Sequence, residues 1–268
     1  MPRANRYYIP GQVWHITHCC HKQEFLLRFR RDRQRWQYWL FEARKRYGLQ
    51  VLNFMVTSNH THLLAVDGGD RHVLPRSLQL VASRTGQEYN QRKNRKGAFW
   101  EDRYHATAIE DGEHFVRCMT YIDLNMVRAG VVDHPSEWPD CGYHEIQKAR
   151  QLYAIIDRQK LAELASVADQ DSLSENHRGW LHELLPYQGK ERDGKWSTSV
   201  AVGGEKFVTK VKELLGLKAA GRRIVNGRDV SELRESITSY NGDFEPEMTV
   251  LSAGNTHYWD IYNDNTGN

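Results

Sequence analysis

The sequence predicts an α+β fold: a ferredoxin-like βαββαβ antiparallel sheet with helices on one face. A further helix follows, and then a mainly helical C-terminal extension. Three observations predict it. Up to residue 109, short runs rich in β-branched and aromatic residues alternate with longer segments of helical spacing, in the order β-α-β-β-α-β. Two of the short runs, 49–56 and 60–66, are separated only by Thr57-Ser58-Asn59, a loop short enough for an antiparallel hairpin. After Trp138-Pro139 the pattern becomes mostly helical. A boundary is therefore expected near residue 143, between a domain over 1–143 and an extension over 144–268.

Pro10-Gly11 signals a turn, and residues 13–19, Val-Trp-His-Ile-Thr-His-Cys, form the first strand. His15 and His18 stand three apart and cannot share a strand face. Residues 32–47 place Trp36, Trp39, Leu40 and Ala43 at helical spacing, with Asp32 as the starting cap and Gly48 as the stop. The hairpin follows, then the loop Asp67-Gly68-Gly69-Asp70. Residues 74–92 set Leu78, Val81, Thr85 and Tyr89 on one stripe, with Pro75 in the first helical turn. The fourth strand spans 104–109. Residues 113–127 read as one helix packed through Phe115, Val116, Met119, Ile122 and Val127, and Gly130 ends it. Further on, 145–165 and 173–185 read as helices and 196–202 as a strand. Residues 205–215 form an amphipathic helix with Phe207, Val208, Val211, Leu214 and Leu215 on one side. No order is read from residue 226 onward, and 263–268 is expected to fray.

The 268 residues suffice for one core plus a sizeable extension. A mean hydropathy of −0.72, with no apolar run of membrane-spanning length and no apolar core after Met1, argues against a membrane or secreted protein and for the cytoplasm. The four cysteines form no Cys-x-x-Cys pair, so neither a zinc ribbon nor a dithiol redox motif is indicated; Cys19-Cys20-His21 could contribute to a soft metal site, and reads better as a buried reduced pair. The net charge of +3 conceals clustering. Arg28, Arg30, Arg31, Arg33 and Arg35 form one basic group, and Arg92, Lys93, Arg95 and Lys96 another. Such groups suit a polyanion, and equally a solvated helix face.

Two constellations carry chemistry. His60 and His62 alternate along a strand, so both point to one face, about 7 Å apart. That spacing allows two imidazoles to share a divalent cation, although a solvated polar face has the same pattern. Tyr121 and Asn125 are four apart on a helix, with Arg128 continuing the line. Together they offer a nucleophile, an amide ligand and a phosphate clamp, while a helical tyrosine is also an ordinary core residue. An open sheet face of this topology is a nucleic-acid surface. Trp100 and Arg103 add a stacking group and a cation to it, or a structural aromatic cluster with a snorkelling arginine.

Asn59-His60-Thr61-His62-Leu63-Leu64, Trp100-Glu101-Asp102-Arg103-Tyr104 and the run Tyr121-Ile122-Asp123-Leu124-Asn125-Met126-Val127-Arg128-Ala129-Gly130 together resemble the REP-associated tyrosine transposases. These are one-tyrosine HUH endonucleases of the IS200-like superfamily. Pro2-Arg3-Ala4 and Tyr7-Tyr8-Ile9-Pro10-Gly11 agree, so the resemblance runs from residue 2 to about 143. It implies a Mg²⁺- or Mn²⁺-dependent enzyme acting on single-stranded DNA hairpins of the REP type through a 5′-phosphotyrosine, as a monomer or homodimer. It implies His60 and His62 as metal ligands, Asn125 as the third, and Tyr121 as the nucleophile. Thr61 stands where the family usually has a bulky apolar residue, and Met126 where proline is common; neither change removes a reactive group. Arg128, Arg103, Trp100, Arg30, Arg31, Arg95 and Lys96 are the expected DNA contacts. Residues 202–223 resemble the C-terminal extension of some members and add Arg222 and Arg223. Gly203-Gly204, before a helix, is either a phosphate cradle or a plain turn. Two other functions stay open: a nucleic-acid-binding module without chemistry, and a metal-dependent phosphodiesterase that uses water.

Overall fold

The computed structural model describes residues 8–188, 193–219, 221–227 and 230–234. The predicted features at Pro2-Arg3-Ala4, at Tyr7 and over 263–268 lie outside the described residues. Strand β1 (Val13–Cys19), helix α1 (Arg30–Tyr47), β2 (Gln50–Val56), β3 (His60–Val66), α2 (Val73–Arg92) and β4 (His105–Ile109) follow in the predicted order. They build a sheet ordered β2-β3-β1-β4 in which every neighbouring pair is antiparallel, the ferredoxin-like arrangement.

Register decides what meets on each face. Thr17 of β1 lies between His62 of β3 and His105 of β4, and in the next row His15 lies between Leu64 and Thr107. Alternation sends all six to the same side of the sheet. Trp14, Ile16, Leu63 and Phe54 point the other way, where Trp36 of α1 packs with its ring 6.2 Å from that of Phe54. Helix α1 starts two residues earlier than expected, with Phe29 rather than Asp32 as its cap. Asp32 is instead buried and paired with Arg92 of α2.

The histidine face is not open. Helix α3 (Glu113–Asp123) lies on it and is fixed from two sides. Asn53 of β2 donates to Met119 O and to Asp123 Oδ1, the latter at 2.9 Å. Asp123 Oδ2 accepts from His177 Nε2 at 2.8 Å, and all three side chains are fully buried. The single helix predicted over 113–127 is broken at Leu124 (φ −80°, ψ 5°), and Asn125 begins a separate turn, α4 (Asn125–Arg128). The helix predicted over 145–165 is likewise two, α5 (Tyr143–Gln147) and α6 (Arg158–Leu164). Between them the buried Glu145 carboxylate accepts the backbone N–H groups of Ile155 and Ile156, which holds an extended stretch no helix could supply. His177 belongs to α7 (Leu173–Gln188).

The strand predicted over 196–202 is half a helical turn, α8 (Lys195–Thr198), and half a strand, β5 (Ala201–Gly203). β5 pairs parallel with β4. After α9 (Glu205–Leu215), strands β6 (Arg223–Asn226) and β7 (Ser231–Arg234) extend the sheet to seven strands, β2-β3-β1-β4-β5-β7-β6. The described residues on both sides of position 143 thus share one sheet and one compact unit. Gly203 and Gly204 permit close approach rather than phosphate binding. A Cβ on Gly203 would stand 2.5 Å from the Phe207 ring, and the Gly204 N–H is already taken by the Glu110 carboxylate. Of the predicted buried pair, Cys20 is buried but Cys19, at the end of β1, is exposed. Among the described residues no helix is long and apolar enough to cross a membrane.

Candidate active site

His60, His62, Tyr121, Asn125 and Arg128 line one cleft of about 530 Å³, together with His105 and Ser197. The sheet contributes the histidines, because Thr57-Ser58-Asn59 turns the chain tightly into β3. Thr57 Oγ1 accepts the His60 N–H at 3.0 Å, so the turn is locked where the first histidine begins. His60 Nδ1 meets Asn59 Oδ1 at 2.8 Å, and an amide oxygen can only accept. The proton therefore sits on Nδ1, and Nε2 carries the lone pair.

His62 lies 5.0 Å from His60, ring to ring. Its Nδ1 meets His15 Nε2 at 2.9 Å and its Nε2 meets the Asn125 amide at 3.0 Å. His15 is a member of this cluster that sequence reasoning missed. It is fully buried, its ring nearly coplanar with that of His62 (13° between planes, centroids 5.1 Å apart), and its Nδ1 lies 2.6 Å from Trp196 O. Its one sequence signal was even spacing with Thr17 on β1, which put it on the histidine face.

Burial pushes the His15 imidazole down to about 4. The unfolded chain thus binds a proton below about 6.5 that the folded chain refuses until about 4. Stability linked to His15 is complete above about pH 6.5 and is lost as the pH falls toward 4, by roughly 3 kcal/mol in all. Urea unfolding at a series of pH values should show this loss in the wild type and a flatter profile over the same window in His15→Phe.

Among the described residues no three His, Cys, Asp or Glu side chains are grouped to hold a metal ion. The donors that do converge are two imidazoles and one amide. His62 Nε2 and the Asn125 amide stand 3.0 Å apart, near enough to serve a shared cation. Turning that amide over exchanges its nitrogen and oxygen and puts an acceptor there. The residues present therefore fit a divalent cation.

Tyr121 is on the same side of the sheet as the imidazoles, its ring 6.1 Å from that of His62. It is also only 2% exposed. Trp196 packs 6.2 Å from it, and the Arg128 guanidinium lies 4.0 Å over its ring while donating to Tyr121 O at 2.6 Å. Arg128, seven residues on from Tyr121, reaches back across the break at Leu124 to make both contacts.

Residues 10–125 match the family model described as transposase IS200 like. Over this stretch the chain is similar to that family. The chain is also similar to the structure of a REP-associated tyrosine transposase bound to a REP hairpin, at 22% identity and a TM-score of 0.45, over 58% of this chain and 90% of that one. A candidate transposase from Deinococcus radiodurans R1 is similar at 14% identity and a TM-score of 0.32, over 40% of this chain and 85% of that one. No curated protein sequence matches the chain.

Only some of the predicted DNA contacts reach this cleft. Arg103 is exposed and lines it. Trp100 does not present a stacking face there: His18 stacks on it at 4.1 Å and its indole N–H donates to Ala82 O. Arg30 and Arg31 are exposed at the start of α1, in the layer behind the sheet. Their neighbours in sequence are engaged, Arg33 with Asp140 at 2.6 Å and Arg35 with both oxygens of Glu88. Arg95 holds its own loop through Ala98 O, while Lys96 is exposed. Arg223 lies on β6, five strand spacings or roughly 24 Å from β3. Arg222, just before it, donates to Lys218 O.

Proposed function

We propose that this transposase domain cleaves and rejoins single-stranded DNA beside hairpins, using Tyr121 as the nucleophile at a Mg²⁺ or Mn²⁺ ion held by His60, His62 and Asn125. The convergence of these four side chains on one cleft, from a strand and a distant helix end, is the observation that carries the reading. When bound, the ion acts as a Lewis acid on the scissile phosphate. Tyr121 Oη attacks phosphorus, the bond from phosphorus to the 3′ oxygen breaks, and the released 3′-OH takes the proton. The 5′-phosphotyrosine keeps the phosphodiester linkage intact in number, so the 3′-OH of another strand can reverse the step and join.

Arg128 is placed to exchange its stacking on the Tyr121 ring for a phosphate oxygen. A guanidinium binds phosphate with two parallel hydrogen bonds, and that exchange uncovers the phenol. Binding of DNA and exposure of the nucleophile are thereby one event.

The test is incubation with hairpin-bearing single-stranded DNA and Mn²⁺, followed by a search for a denaturation-resistant adduct mapped to Tyr121. Absence of an adduct over a broad panel of hairpins overturns the proposal. The burial of Tyr121 favours a second reading, in which this tyrosine belongs to the core. Cleavage without an adduct then points to a phosphodiesterase that uses water, and binding without cleavage to a DNA-binding module.

A further inference from the structure

We propose that His15 is a positioning residue that sets the tautomer of His62, with the backbone carbonyl of Trp196 as the fixed end of the relay. The inference rests on the metal-site reading above. A carbonyl oxygen only accepts, so His15 Nδ1, 2.6 Å from Trp196 O, carries the proton. In a neutral ring Nε2 is then an acceptor. At 2.9 Å it faces His62 Nδ1, which must donate. That leaves the lone pair of His62 on Nε2, the nitrogen 3.0 Å from the Asn125 amide. A ligating histidine is commonly fixed by a partner of its other ring nitrogen; here the partner is an imidazole, itself fixed by a main-chain carbonyl.

The carbonyl cannot drift. Thr107 Oγ1 donates to Ser199 O at 2.7 Å and lies 3.2 Å from Trp196 O, so one hydroxyl spans both carbonyls of this turn. His105 Nε2 meets Ser199 O at 3.0 Å. The turn α8 is thus tied to β4 on the histidine face, and the Trp196 side chain packs on Tyr121. A turn far along the chain from either motif therefore orients a ligand in one and buttresses the tyrosine of the other.

The experiment uses the full chain without metal. Long-range ¹H–¹⁵N spectra of the histidine rings should show both His15 and His62 with the proton on Nδ1. In His15→Phe the His62 signal should shift toward a mixture of tautomers, and Mn²⁺ affinity, followed by electron paramagnetic resonance, should fall roughly 10–100-fold. DNA binding in EDTA should stay at the wild-type level. His15→Gln, whose amide oxygen can accept from His62 Nδ1, should recover most of the affinity. A wild-type His62 protonated on Nε2, or His15→Phe binding Mn²⁺ as the wild type does, overturns the relay. If His15→Phe does not fold, the wild-type spectrum and His15→Gln still decide it. Failure of the wild type to bind Mn²⁺ removes the metal-site reading instead, while the tautomer spectrum still judges the relay.

Discussion

Tyr121→Phe is expected to abolish the covalent DNA adduct and to reduce strand cleavage by roughly 10³-fold or more, the scale of losing a nucleophile outright. The fold should survive, because phenylalanine keeps the aromatic ring that Trp196 packs against and Arg128 covers. Intact folding makes the result interpretable, and circular dichroism with a thermal melt checks it alongside the cleavage assay. A variant that cleaves as well as the wild type would assign the attack to water and Tyr121 to packing.

The second large effect concerns stability. Asp123→Ala removes the one carboxylate shared by Asn53 and His177, all within the fully buried interior. It leaves His177 Nε2 without its acceptor and Asn53 with only Met119 O for its amide, and breaking such a buried cluster costs about 3 kcal/mol. Denaturant unfolding should show the midpoint falling accordingly. Asp123→Asn, which can still accept from one of the two donors, should lose less. Equal midpoints for Asp123→Ala and the wild type would mean that the cluster does not hold α3 in place.

Much of this was legible in the sequence because it is local. The alternation of His60 and His62 and the three-residue turn before them fix strand, face and hairpin together, and the sheet order follows from the βαββαβ succession. What was not legible depends on partners distant in the chain. His15 looked like any strand histidine until β1 was placed between β3 and β4. Leu124 has nothing in its own identity that breaks a helix. The break appears where Asp123 is drawn inward by Asn53 and His177. Basic clusters fit a polyanion surface and a helix face equally, and for Arg33 and Arg35 the choice is made by Asp140 and Glu88, distant in the chain. Trp100 has the same two readings, and His18 and the carbonyl of Ala82 decide for a structural aromatic cluster.

The discontinuity after Asp123 has a mechanical meaning. It puts the phenol on a rod anchored at its end and the carboxamide and guanidinium on a separate four-residue piece. Under the chemistry proposed above, a pivot of that small piece, which must first break the Arg128 bond to Tyr121 O, would release cation and strand together and leave Tyr121 aimed for the return reaction.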